Sequence, residues 1–230
     1  MAYSPLPALI DKVDTFELVR DQLGAILALE QANQQALAIA AAKDPLLWAL
    51  DVYLERSRPW EKWTNADLEA ATNTYPIISV WFDRGSFPRD KGNPVERQTH
   101  TPVYNIDAYG YGITVGNVGA PGFTPADKTA ALEAQRGIRL ARNILMASPN
   151  TYLQLPKGTI GLRWPDNITM FQPQIDDNAA FKIVGARLAL EVTCNEFSPQ
   201  YEGETLELIT NEVTRQEDGR LLVNANYDYS

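Results

Sequence analysis

"VERQTHTPVYNIDAYGYGITV", residues 95–115, is the stretch on which the fold turns. Tyr104, Ile106 and Ala108 fall on one side and Asn105 and Asp107 on the other, the period of two of a β-strand. From Tyr109 onward the odd side becomes apolar, with Tyr111, Ile113 and Val115, and Gly110 and Gly112 sit opposite them. Glycine inside a strand marks a bulge or the close approach of another backbone. The strand is therefore expected to bend, with its two ends covered on different faces. A neighbouring copy of the chain can supply the second cover.

The segments around it set the class. Asp14 to Ala42 is rich in Ala, Leu and Gln, and Phe16, Val19, Leu23, Ile26 and Leu27 recur at helical spacing. Gly24 weakens its middle. Asp44 and Pro45 read as the cap and first position of a second helix, which carries Leu46 to Leu54 and ends before Pro59. Trp60 and Trp63 are expected to pack this helical part onto a sheet, or to anchor a partner. Residues 76–82, PIISVWF, read as a buried strand. Residues 83–98 form a long Gly-, Pro- and charge-rich loop, either solvated or a partner-binding arm; its length and its Arg84, Arg89, Lys91 and Arg97 favour the arm.

Thr124, Pro125 and Asp127 are the start signals of a helix running to about Ala147. Its face of Ala131, Ala134, Ile138, Ala141 and Leu145 suits close packing on a sheet. Arg136, Arg139 and Arg142 form a stripe on another side, either a solvated face or a contact for an acidic neighbour. Strands are expected at 151–155, 159–164 and 168–175, then at 183–194. The last turns Val184, Ala186, Leu188, Leu190, Val192 and Cys194 inward and Arg187, Glu191 and Thr193 outward. Residues 205–216 and 220–227 flank Asp218 and Gly219, a hairpin turn. Helices first, then successive strands around one inserted helix, define an α+β protein with a mostly antiparallel sheet flanked by helices. The division drawn is an N-terminal helical segment, 1–63, and an α+β domain, 64–230.

Composition narrows the function. The chain has 230 residues and a net charge of −9. That charge argues against general nucleic-acid affinity, which needs clustered cations. Residues 195–230 hold eight acidic residues, among them Glu202, Glu204 and Glu207, against two arginines. No run of about 18 apolar residues is present, so no membrane span is expected. The opening MAYSPLPALIDKVD lacks the marks of a secretory leader, and synthesis in a cytoplasm is expected.

Catalytic signatures are missing. His100, the single histidine, has no nucleophile or metal-ligand spacing beside it. Cys194 falls on the apolar side of its strand, where an inert thiol is the default. Asp176 and Asp177 are neighbours in a turn. There is no phosphate-cradling glycine loop before a helix and no nucleophile elbow. The expectation is a non-enzyme without cofactor or metal.

The phrases NPVERQ and YNIDAYGYG, then AALEAQRGIRLARNILMASPNTYLQLP, FQPQ and LALEVTCNEFSPQYEG, resemble neck and tail-completion proteins of tailed bacteriophages, most closely the tail terminators. The resemblance spans residues 76–217. It implies a virion protein that assembles as a ring, commonly a hexamer, and caps the tail tube. It also implies contacts with tube protein and possibly sheath, and a joint to the head connector, with DNA passing through unbound. No catalytic residues come with it. Arg84, Arg89, Lys91, Arg97, Tyr109, Tyr111, Arg136, Arg139, Arg142, Glu202, Glu204 and Glu207 are the candidate interface residues. The alternatives are a head-completion adaptor or stopper, and a carbohydrate or host-surface binder using Trp60, Trp63, Tyr109 and Tyr111.

Overall fold

The computed structural model describes residues 13–63, 74–88, 97–173, 182–197, 208–214 and 221–228. Helix α1 covers Thr15–Ala40, strand β1 Asp51–Leu54, β2 Ile77–Ser86, β3 Arg97–Gly112, helix α2 Ala126–Leu145, β4 Ile160–Phe171, β5 Lys182–Phe197, β6 Leu208–Thr214 and β7 Leu221–Asp228. Five strands form one sheet in the order β1-β2-β3-β5-β4, and β6 pairs with β7 separately. Only the β1–β2 pair in that sheet is parallel. The architecture is α+β, as the order of sequence patterns predicts.

The stretch that opened the analysis is β3, the middle of the sheet. Its even residues Tyr104, Ile106 and Ala108 join a core with Val19, Leu23 and Leu27 of α1 and Ala134, Ile138 and Ala141 of α2. The inward row of β5, Ala186 through Val192, lies on the same side. Gly110 and Gly112 continue the even row beneath α2. A Cβ on Gly110 would stand 2.3 Å from the Ala130 carbonyl oxygen, and one on Gly112 1.9 Å from that of Ala126. The glycines therefore mark close approach of a backbone and not a bulge: β3 holds one register with β5 from Arg97 to Gly112. On the helix side the match is Ala130, Ala134, Gly137 and Ala141, all buried. Ala130, not the expected Ala131, faces the sheet.

The odd residues of β3 are covered from the other side by the same chain. A single 3-10 turn, Pro59–Lys62, brings Trp60 to 5.0 Å from the Tyr109 ring and Trp63 to 5.9 Å from the Tyr111 ring. Ile77, Ile183 and Phe171 complete this second cluster. The two tryptophans thus pack against the sheet, on the face opposite the helices. No neighbouring copy is needed to cover the strand there.

Five expectations are corrected. Residues 44–58 are not a helix. Asp44 does cap, accepting from the Leu46 amide at 2.9 Å, but the turn stops at Trp48 and β1 follows. The first half of β2, Ile77–Val80, is buried and needs a partner for its outer edge. The Asp51 amide bonds the Pro76 carbonyl at 3.1 Å and the Glu55 amide that of Val80 at 3.0 Å, and this pairing overrides local propensity. The loop 83–98 is shorter than read, because β2 extends to Ser86 and β3 begins at Arg97, with a register shift between Phe82 and Arg84. Thr124 does not cap α2: its amide and carbonyl are both spent on Val115, and Pro125 takes the cap position. Residues 151–154 are turn, and the strands expected at 159–164 and 168–175 are one strand, β4. Register shifts at Ile160/Arg163 and Pro165/Asn167 let this edge strand carry a proline that cannot donate to the ladder. The hairpin around Asp218 and Gly219 is present as β6–β7, its turn residues lying outside those described.

The contact between α2 and β3 gives a direct test. Gly112→Ala should cost about 1–3 kcal/mol through overpacking against backbone that cannot rotate away. Gly161→Ala, whose Cβ would meet nothing nearer than 3.5 Å, should stay within about 0.5 kcal/mol of wild type. Urea unfolding of both variants is the measurement, and equal losses would contradict the close approach.

Candidate functional site

Strand β3 also carries a carboxylate into its dry odd row. Asp107, 2% exposed, lies between Asn105 and Tyr109 and pairs in register with Arg187 of β5. Arg187 donates from Nε to Oδ1 at 2.7 Å and from Nη2 to Oδ2 at 2.8 Å, a bidentate pair. Trp81 of β2 donates its Nε1 to Oδ2 at 3.0 Å, and the Tyr109 hydroxyl lies 3.4 Å from the same oxygen. The Arg187 guanidinium lies 4.9 Å from the Trp81 ring centroid and 5.2 Å from that of Phe171. Its basicity is raised first by the hydrogen bond to Asp107. Tyr109 is held well above the ordinary phenol value by burial first and by Asp107 second, so its hydroxyl keeps its proton. Residues 55–57, just after β1, form the facing wall. The cleft between has a volume of about 310 Å³.

A second surface lies at the β4 edge on the helix side. Ile138, Arg139 and Arg142 of α2 and Ile168 and Met170 of β4 line a shallow groove of about 180 Å³. The arginine stripe is divided here. Arg136 is turned inward: it holds Glu133 at 2.6 Å and the Leu47 carbonyl at 2.6 Å, fastening the turn at Pro45–Trp48 to α2. Its guanidinium is thus engaged within the chain. Arg139 and Arg142 are exposed.

The remaining candidates are scattered. Tyr109 and Tyr111 are buried, which corrects their reading as partner-facing residues. Arg84 is exposed and paired with Asp83 at 2.9 Å. Arg97 is exposed at the start of β3, opposite Phe197. Arg89, Lys91, Glu202, Glu204 and Glu207 lie outside the described residues, as do Asp176 and Asp177. Sequence reasoning places Arg187 on the outward side of β5 and Asp107 on one side of β3, but that the two meet depends on the register between strands far apart in the chain.

His100 is buried, its ring stacked on Phe87 with centroids 4.3 Å apart and planes 4° apart. Gly85 makes room for it, since a Cβ there would fall 2.0 Å from Nε2. Burial pushes the imidazole below its ordinary value, against the opposing pull of Glu196 and Asp14. Cys194 is buried, and burial first, then Glu196, pushes its thiol up to about 12. Among the described residues no three His, Cys, Asp or Glu side chains are grouped to hold a metal ion. No described helix is long and apolar enough to cross a membrane. Comparison with protein-family models and with curated proteins returned no match.

Three outcomes follow from this geometry. Asp107→Asn should destabilise by about 2 kcal/mol, the low side for a broken buried pair because Arg187 reaches solvent. The double replacement Asp107→Leu with Arg187→Met should lose less than the single change, as read by chemical unfolding. His100 binds its proton more weakly in the folded chain, so its contribution is present above the unfolded value of about 6.5 and fades as pH falls towards the lowered folded value. Between about pH 7.5 and pH 5.5 His100→Gln should therefore lose less stability than wild type. The Cys194 thiol should ignore an aromatic disulfide reagent at about pH 8 until the chain is unfolded.

Proposed function

We propose that the protein is a structural subunit of a phage neck. In this reading it is a tail terminator that assembles into a ring, most simply a hexamer, caps the tail tube and joins it to the head connector around an open DNA channel. The observation that supports assembly is the outer edge of the sheet. Strand β4 exposes Leu162 by 69%, Trp164 by 39%, Ile168 by 52% and Met170 by 44%. Ile168 and Met170 stand on the helix side and Trp164 on the opposite face, by their partners in β5. A long edge strand with apolar side chains on both faces is a template for aggregation unless something covers it. A closed ring covers every copy of it. The opposite edge, β1, is short and parallel to its neighbour, so a β4–β1 contact between copies would be heterologous, the kind that closes rings.

Charge supports the same reading. Arg139 and Arg142 beside the β4 groove offer contacts to the acidic segment of a neighbour, where Glu202, Glu204 and Glu207 lie in the sequence. The net charge of −9 repels a passing DNA strand. The neck placement itself rests on the sequence resemblance. A head-completion adaptor of the same ring form differs in docking on the portal side.

Sedimentation over a range of concentrations tests assembly. Wild type should form a closed ring, and Ile168→Lys, which sets a third cation beside Arg139 and Arg142, should weaken it at least tenfold without changing the circular dichroism. A wild type that stays monomeric and does not bind isolated tail tubes would overturn the proposal.

A further inference from the structure

A cleft of about 330 Å³ opens between α1, the turn at Pro45–Trp48 and the C-terminal end of α2. Side-chain amides and one carboxylate line it, and their mutual hydrogen bonds fix which way each amide is turned. The Leu50 amide can only donate, so Gln31 meets it with Oε1 at 3.4 Å, and Gln35 donates to the same oxygen. Nε2 of Gln31 is left over. A carboxylate can only accept, so Gln34 meets Glu30 with Nε2 at 2.7 Å and keeps its own Oε1. Asn33 bonds the same Glu30 oxygen at 3.1 Å, which leaves Oε2 of Glu30. Asn150 spends Nδ2 on the Ile144 carbonyl at 2.9 Å. Its Oδ1 then receives Nε2 of Gln154 at 3.1 Å, and Gln154 keeps Oε1. Three oxygens and one N–H are thus fixed and without a partner among the described residues. Asn143 and the indole N–H of Trp48 also line the cleft, and no described residue bonds either.

This mixture selects the ligand. An ammonium or guanidinium carries donors only, and Gln31 and Trp48 could not bond it. A carboxylate or phosphate carries acceptors only, and Glu30, Gln34 and Gln154 could not bond it. A hydroxyl both donates and accepts, so a ring bearing several of them serves every group. Leu140, Ile144 and Pro149, with the half-buried Trp48, give the C–H face of such a ring an apolar bed. The volume falls at the small end of the ~300–1,000 Å³ range of ligand clefts, which suits a single ring.

We propose that this cleft binds a pyranose ring. Glu30, Gln34 and Gln154 accept from its hydroxyls, Gln31 and Trp48 donate to them, and Asn143 turns to suit. The ring is a free sugar or the terminal unit of a glycan. The cleft shares no residue with the β4 groove, so the inference holds whether or not the chain assembles.

Ligand-observed saturation-transfer NMR on the full chain tests it, since that method works for a monomer and a large assembly alike. The probes are the methyl glycosides of glucose, galactose, mannose and N-acetylglucosamine, and the matching disaccharides. At least one glycoside should bind saturably, with Kd of order 1 mM. Sorbitol, an open chain with similar hydroxyls, should bind at least tenfold more weakly because it must be ordered first. Glu30→Gln should weaken the glycoside about tenfold. Asn143→Ala, at an exposed position that leaves the fold intact, should weaken it about threefold. Tighter binding of a disaccharide than of its methyl glycoside identifies a glycan as the source, and equal binding a free sugar. No saturable binding of any glycoside, indifference to both variants, equal binding of sorbitol, or tighter binding of methylguanidinium, acetate or adenosine would each overturn the proposal.

Discussion

The structure depends on keeping β3 dry on both faces. A strand in the middle of a sheet has its backbone paired on both sides, so its stability rests on what covers its side chains. On one face the cover is α2, pressed so close that two successive even positions have no room for a side chain. On the other it is a single turn carrying Trp60 and Trp63. The small-residue face of α2, the position of β5 and the path of the chain after β1 all follow from these two covers. Tyr104 adds a tie to the first helix by donating its hydroxyl to the Phe16 carbonyl at 2.8 Å.

A dry face makes its polar groups consequential. Asp107 would be costly in the odd row of β3 without a partner, and Arg187 arrives directly opposite with geometry for two bonds. Such a pair adds little net stability over apolar residues of like size. What it does is specify register, because slipping β5 by one residue would strand both charges.

The sheet ends unevenly. The β1 edge is short and tied to α1 and the turn before it, whereas the β4 edge is long and apolar on both faces. Bulges and Pro165 blunt β4, and among the described residues no strand pairs with its outer edge. That contrast between edges, with Arg139 and Arg142 beside the β4 one, is the observation on which the proposed assembly rests.

Much of this was legible in the residues. Alternation marked β3 and β5, and helical spacing marked α1 and α2, because each signal is local and repeats at the period of its element; glycine opposite tyrosine left a bulge and a close approach both open. The second helix was misread because Leu46 to Leu54 has no strong period of its own, and the unpaired edge of β2 decided it. The strands before β5 were misread because a proline and two bulges interrupt one strand as they would separate two. Tyr109 and Tyr111 looked like contact residues until the turn at Pro59–Lys62 covered them. The sequence by itself determined the α+β class and the pattern of the central strand. Only the tertiary structure decided what Asp107 meets, which arginine turns inward and which edge stays open, because those outcomes depend on pairing between strands far apart in the chain.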